Sequence, residues 1–84
     1  MIKKKNASKK IKYIMANVFN LPLKKIKDNS SVDNIEEWDS IKHMNLAVAL
    51  EEEFKIKFSY AEIGEMINFK IINLILSQKI ANKK

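Results

Sequence analysis

The chain has 84 residues, no cysteine, and sixteen lysines against ten acids for a net charge of +6. That length allows one small domain with a modest core, and 46% apolar residues are too many for a disordered chain. Without cysteine there are no disulfides or thiolate metal sites, which fits a reducing cytoplasm, and no apolar run is long enough to span a membrane.

The N-terminus, "MIKKKNASKK", is basic like the start of a signal peptide. The segment after it is broken by Lys12 and Asn17 and lacks a small-residue cleavage site, so it reads as an amphipathic helix. That helix is expected from about Ala7 to Asn20. Ile11, Ile14, Met15, Val18 and Phe19 fall at i, i+3, i+4, i+7 and i+8, one apolar stripe. Pro22 is expected to end it, because the residue before a proline avoids helical angles.

"LPLKKIKDNSSVDNIEEW", residues 21–38, reads as a long loop with turn chemistry at Asp28-Asn29-Ser30-Ser31. Leu23, Ile26, Val32, Ile35 and Trp38 are spaced through it, so it is expected to pack down on the core. Loops this long are uncommon and often functional.

A second helix is expected from Ser40 to Phe54, with Asp39 or Ser40 as its N-cap. At about 100° per residue, His43, Ala47, Leu50 and Phe54 cluster as the core face, with Leu46 at its edge. Ile41, Met44 and Val48 form a second apolar stripe, which a helix packed on one side does not need. The Glu51-Glu52-Glu53 run reads either as a solvated helix end or as a charged docking surface. "SYAE", residues 59–62, matches a capping box and opens a short third helix to about Met66. Asn68 is a good N-cap for a fourth helix, Phe69 to about Lys79, carrying Ile71, Ile72, Leu74, Ile75 and Leu76. No period-two pattern persists. The sum is an all-α domain over residues 1–84, three main helices and one short helix with a long first loop. Residues 1–6 and 81–84 are expected to fray.

Charge is unevenly spread. All ten acids lie between Asp28 and Glu65, where only Lys42, Lys55 and Lys57 are basic. The basic ends allow a reading as a small helical nucleic-acid-binding protein. Against it, every basic residue is lysine, and arginine is the favoured reader of guanine.

Ser40 stands out at a helix start. A catalytic serine needs a base and an orienting group. The only histidine, His43, lies one helical turn on, but no glycine-rich turn offers an oxyanion hole, so no catalytic residues are assigned. One histidine and scattered carboxylates match no common metal site. A serine can instead be modified. The free backbone N–H groups and the helix dipole at that position favour a phosphate, so Ser40 suits covalent attachment through a phosphoester.

Asp39-Ser40-Ile41 followed by "KHMNLAVALEEEF" resembles the acyl carrier protein family. That family's attachment motif is Asp-Ser-Leu or Asp-Ser-Ile, before a helix that often ends Leu-Glu-Glu-Glu-Phe. The similarity runs from about Ser31 to Leu76. It implies a four-helix bundle and a non-catalytic carrier. A 4′-phosphopantetheine arm from coenzyme A would be attached to Ser40 by a phosphopantetheinyl transferase, its thiol carrying acyl groups as thioesters. Asp39 is then a motif residue as well as a cap. Ile41, Met44 and Val48 become a docking stripe for enzymes that load, transfer or condense acyl groups, and a cytoplasmic monomer is expected. Lys42 and Asn45 stand where fatty-acid carriers commonly show acids, which would alter partner choice. Trp38 before the motif resembles discrete carriers of specialised pathways, and D-alanyl and other aminoacyl carriers share Trp-Asp-Ser. Two residues keep two readings each. His43 is either a half-buried, hydrogen-bonded core residue or a selector at the arm's entrance. Trp38 either anchors the loop or touches a partner.

Overall fold

The computed structural model describes residues 4–82. Four helices follow one another: α1 (Lys4–Phe19), α2 (Ser40–Phe54), α3 (Tyr60–Glu65) and α4 (Phe69–Ala81), with a 3-10 turn at Leu23–Lys25 inside the first loop. Among the described residues there is no strand, only an isolated bridge between Ser31 and Asn68. The all-α bundle expected from the sequence is the fold. The expected fraying falls partly on residues 1–3, 83 and 84, which lie outside the described residues; the backbone is already helical at Lys4 and stays so through Ala81.

Helix α1 buries Ala7, Ile11, Met15 and Phe19, one residue every four, together with Ala16. It ends one residue earlier than expected. Asn20 takes a left-handed backbone, φ 58°, a conformation asparagine tolerates at helix ends, and the Leu21 N–H returns to the Ala16 carbonyl at 2.9 Å. The stop is therefore made before Pro22 is reached.

The first loop is held at both ends and in its middle. Ile26, Ile35 and Trp38 are buried, while Leu23 and Val32 stay at the surface. Ser30, the one buried polar residue among those described, has its hydroxyl bonded by the Lys27 N–H at 2.8 Å. Its carbonyl accepts from Phe69 N–H at 2.9 Å, and Val32 N–H donates to the Ile67 carbonyl at 3.0 Å. These bonds pin the loop to the α3–α4 junction, so a long segment without regular structure is nevertheless fixed.

Each later helix is capped as its sequence dictates. The Asp39 carboxylate accepts from Lys42 N–H at 2.8 Å, which makes Asp39 the N-cap and Ser40 the first helical residue. Ser59 and Glu62 form the reciprocal capping box of α3, and the Asn68 side chain accepts from Ile71 N–H at 2.8 Å. Helix α2 buries Leu46, Ala47, Leu50 and Phe54. Leu46 is fully buried and so lies within the core face, where the wheel put it at the edge. In α4, Phe69, Ile72, Ile75 and Leu76 are buried and Leu74 is exposed.

The acidic middle and basic ends meet in space. Lys10 of α1 pairs with Glu53 of α2 at 2.8 Å, Lys12 of α1 with Asp28 of the loop at 2.6 Å, and Lys79 of α4 with Glu62 of α3 at 2.8 Å. The lysine hydrogen bonds hold all three carboxyls below the usual carboxylate range, Glu62 with help from the Ser59 backbone N–H. Glu51 accepts from Phe58 N–H at 2.8 Å and so ties the end of α2 to the next loop. Two of the three acids, Glu51 and Glu53, thus bond to other elements, while Glu52 and Glu53 stay exposed.

The two faces of α2 should separate cleanly under mutation. Leu50 is fully buried, and Leu50→Ala should cost about 2–5 kcal/mol through lost transfer energy and the cavity left behind. Val48 is 48% exposed, and alanine is the better helix former, so Val48→Ala should change stability by about 0.5 kcal/mol or less. Urea unfolding of both variants checks this; equal losses would mean the faces are assigned the wrong way round.

Candidate functional site

The site is built at the start of α2. Ser40 is exposed, and its backbone is set by the Asp39 cap. The first N–H groups of a helix lack intrahelical partners; here the Lys42 N–H is taken by the Asp39 carboxylate, and those of Ser40 and Ile41 precede it. An anionic group on the Ser40 hydroxyl oxygen would meet the positive end of a 15-residue helix.

The residues singled out as a second stripe do face outward. Ile41 is 72% exposed and Met44 and Val48 are 48% exposed each. Asn45 is exposed and Lys42 half-buried. From Ser40 to Leu50 the helix carries no acid. Beside the apolar stripe its outer surface carries Asn45 and, as the one formal charge in that stretch, Lys42.

Trp38 and His43 form a structure that periodicity did not reveal. The Trp38 ring is buried and packs on Phe19 with centroids 4.9 Å apart. Its Nε1–H donates to His43 Nδ1 at 2.9 Å. With Nδ1 accepting, the neutral imidazole carries its proton on Nε2, and that nitrogen bonds the Ile63 carbonyl at 2.7 Å. One histidine thus links the loop, α2 and α3. Both ring nitrogens are engaged, so neither is available to take the Ser40 proton. Of the two readings of each residue, the half-buried, hydrogen-bonded histidine and the loop-anchoring tryptophan are what the geometry gives.

Outside this link lies a groove of about 390 Å³, within the ~300–1,000 Å³ typical of small-molecule sites. Val32, Trp38, Ser40, His43, Met44, Gly64 and Ile67 line it, beside Asp39. Gly64, Ile67 and Val32 come from segments not assigned to the site by sequence. The available signal was the chain's single glycine, placed in a helix. A larger depression of about 590 Å³ lies between α1 and α4, lined by Lys9, Lys12, Asp28, Phe69 and Lys70. It contains no part of the Ser40 surface and is crossed by the Lys12–Asp28 pair.

Among the described residues, no cluster of three or more histidines or acids could hold a metal ion, and no helix is long and apolar enough to cross a membrane.

No sequence-family profile matches the chain, and no curated protein does. Solved structures do. The fold is similar to the holo acyl carrier protein of Geobacter metallireducens, determined by NMR in solution, with a TM-score of 0.79 and 31% identity over 88% of this chain and 85% of that one. With that level of identity across nearly the whole of both chains, the protein belongs to the acyl carrier protein family.

Proposed function

We propose that the chain is a single carrier domain that holds acyl or aminoacyl groups on a 4′-phosphopantetheine arm attached to Ser40, in a lipid, glycan or specialised-metabolite pathway. The observation that carries this reading is an exposed serine at the first position of a capped helix, beside both an open groove and an unburied apolar stripe. The residues fit the group. A phosphoester on Ser40 Oγ would sit at the N-terminus of α2, on the positive end of the helix dipole. Attachment breaks the pyrophosphate of coenzyme A and forms the bond from Ser40 Oγ to phosphorus. Adenosine 3′,5′-bisphosphate leaves, and a transferase must take the hydroxyl proton, since His43 is engaged. When bound, the arm supplies a thiol that carries the cargo as a thioester.

Ile41, Met44 and Val48 serve as the docking stripe for the transferase and for enzymes that load, transfer or condense the cargo. Exposed apolar residues in a row on one helix face mark an interaction surface. Lys42 and Asn45 remove the acidic character that would attract strongly basic partners, so recognition here is mainly apolar, with charge setting partner choice and encounter rate.

Intact mass after incubation with coenzyme A, magnesium and a phosphopantetheinyl transferase tests the attachment. The wild-type chain should gain one arm. Ser40→Ala should gain none, and it should melt close to wild type, because the cap is Asp39 and the serine hydroxyl is exposed. Asp39→Ala should by contrast cost about 1 kcal/mol, the worth of an N-cap. Arm addition to Ser40→Ala, onto Ser30 or Ser31 for instance, would sink the assignment.

The charge of α2 gives a second prediction. Lys42→Asp with Asn45→Glu makes the docking face more negative close to Ser40, where long-range attraction acts on encounter. Loading by enzymes of the fatty-acid type should speed up, mainly through association rate, and the gain should shrink as salt rises. The cognate enzyme should slow. Loading rates of both proteins at low and high ionic strength decide it; if the double change alters nothing, helix charge does not choose the partner.

A further inference from the structure

Gly64 has no structural reason to be glycine. It is the only glycine in the chain, and no glycine has a positive φ, so the backbone does not demand it. A Cβ built there would meet nothing within 4 Å, so packing does not demand it either. It sits inside the short helix α3, where glycine is among the poorest residues. Alanine would hold the helix better and fit the space.

What Gly64 does face is the groove beside Ser40. The inner wall of that groove is shut by the link from Trp38 to His43 and on to the carbonyl of Ile63. Ile63 directly precedes Gly64, so the link closes on the glycine's own peptide unit. Ser40 and Gly64 both line the groove on the outer side of this link, where a side chain at position 64 would enter open space.

We propose that Gly64 is a positioning residue: its missing side chain gives the Ser40-borne arm a bed directly on the α3 backbone. This rests on the assignment of Ser40 made above. The chemistry of the bed matches the arm. Val32, Met44 and Ile67, each at least 37% exposed, offer apolar contact to the methyl-bearing part of pantetheine. The last carbonyls of a helix lack intrahelical partners, and Gly64 lies in that last stretch of α3. Its bare backbone can accept from the arm's amide N–H groups. A side chain at 64 would cover that backbone and lift the arm away.

The chain carries one glycine and one tryptophan, and both line the groove. The Gly64 amide and the Trp38 indole N–H are therefore two assignable reporters in a ¹H–¹⁵N spectrum. Spectra are recorded for the full chain before and after arm addition from coenzyme A, driven to completion and checked by intact mass. In the wild-type chain both reporters should shift on arm addition. In Gly64→Leu the arm-induced shift of the Trp38 indole should be lost, and the arm's thiol should react faster with iodoacetamide. Gly64→Ala, the milder change, should melt a few degrees higher than wild type while showing a reduced Trp38 shift. If Gly64→Leu does not fold, the alanine variant alone decides. An attached arm that moves neither reporter, or a Trp38 shift that survives both substitutions, overturns the role of Gly64 and leaves the carrier assignment standing. A wild-type chain that takes no arm overturns both.

Discussion

The hydrogen bond from the Trp38 indole to His43 sets the shape of the site. The indole can only donate, so it makes Nδ1 the acceptor and leaves the Nε2 proton for the Ile63 carbonyl. A proton on both nitrogens would place two donors face to face. The imidazole therefore works as a neutral bridge between the loop before α2, α2 itself and α3. Phe19 beneath the tryptophan extends that bridge to α1. Ser40 lies between the two bonded side chains in sequence and next to them in the groove, so its position relative to α3 is set by the same contact.

The charge pattern that first pointed to nucleic acid is partly satisfied within the fold. Lysines from α1 and α4 reach carboxylates on α2, α3 and the loop. Surface pairs of this kind contribute roughly 0–1 kcal/mol each, so they brace the bundle without holding it. The holding is done by the fully buried set of Phe19, Ile11, Met15, Leu46, Leu50, Met66, Ile72 and Leu76. What these pairs leave over is informative. The outward face of α2 after Ser40 keeps Lys42 and Asn45 beside the exposed Ile41, Met44 and Val48, a surface on which apolar area outweighs charge.

Much of this was legible in the sequence because it is local. The bounds of α2 follow from Asp39 at one end and the loss of period after Phe54. Ser59–Glu62 and Asn68 announce the next two helices through side chains that bond their own backbone. The place of Ser40 at the start of α2 was legible for the same reason. The features that escaped are those made by distant segments. Leu46 looked marginal on a wheel, yet it is fully enclosed once the bundle closes round α2. The glutamates looked like a surface run because their partners, Lys10 and the Phe58 amide, lie on other elements. The bridge through His43 joins residues twenty positions apart, and no spacing rule covers it. The start of α1 was placed late because Lys4, Lys5 and Asn6 carry no cap and no apolar residue to mark it.

Helix α2 divides two tasks between its faces. Leu46, Ala47, Leu50 and Phe54 stabilise the bundle, and Ile41, Met44 and Val48 stand outside it. A residue that costs stability without a packing or backbone reason belongs to the second task, since local rules are broken mainly where function requires it. Gly64 meets that description on α3, and it lines the groove beside Ser40 as the exposed stripe of α2 follows Ser40 on the other side. Between them the bridge from Trp38 through His43 to the Ile63 carbonyl separates the Ser40 surface from the packed interior, so the groove on one side of Ser40 and the apolar stripe on the other both open outward.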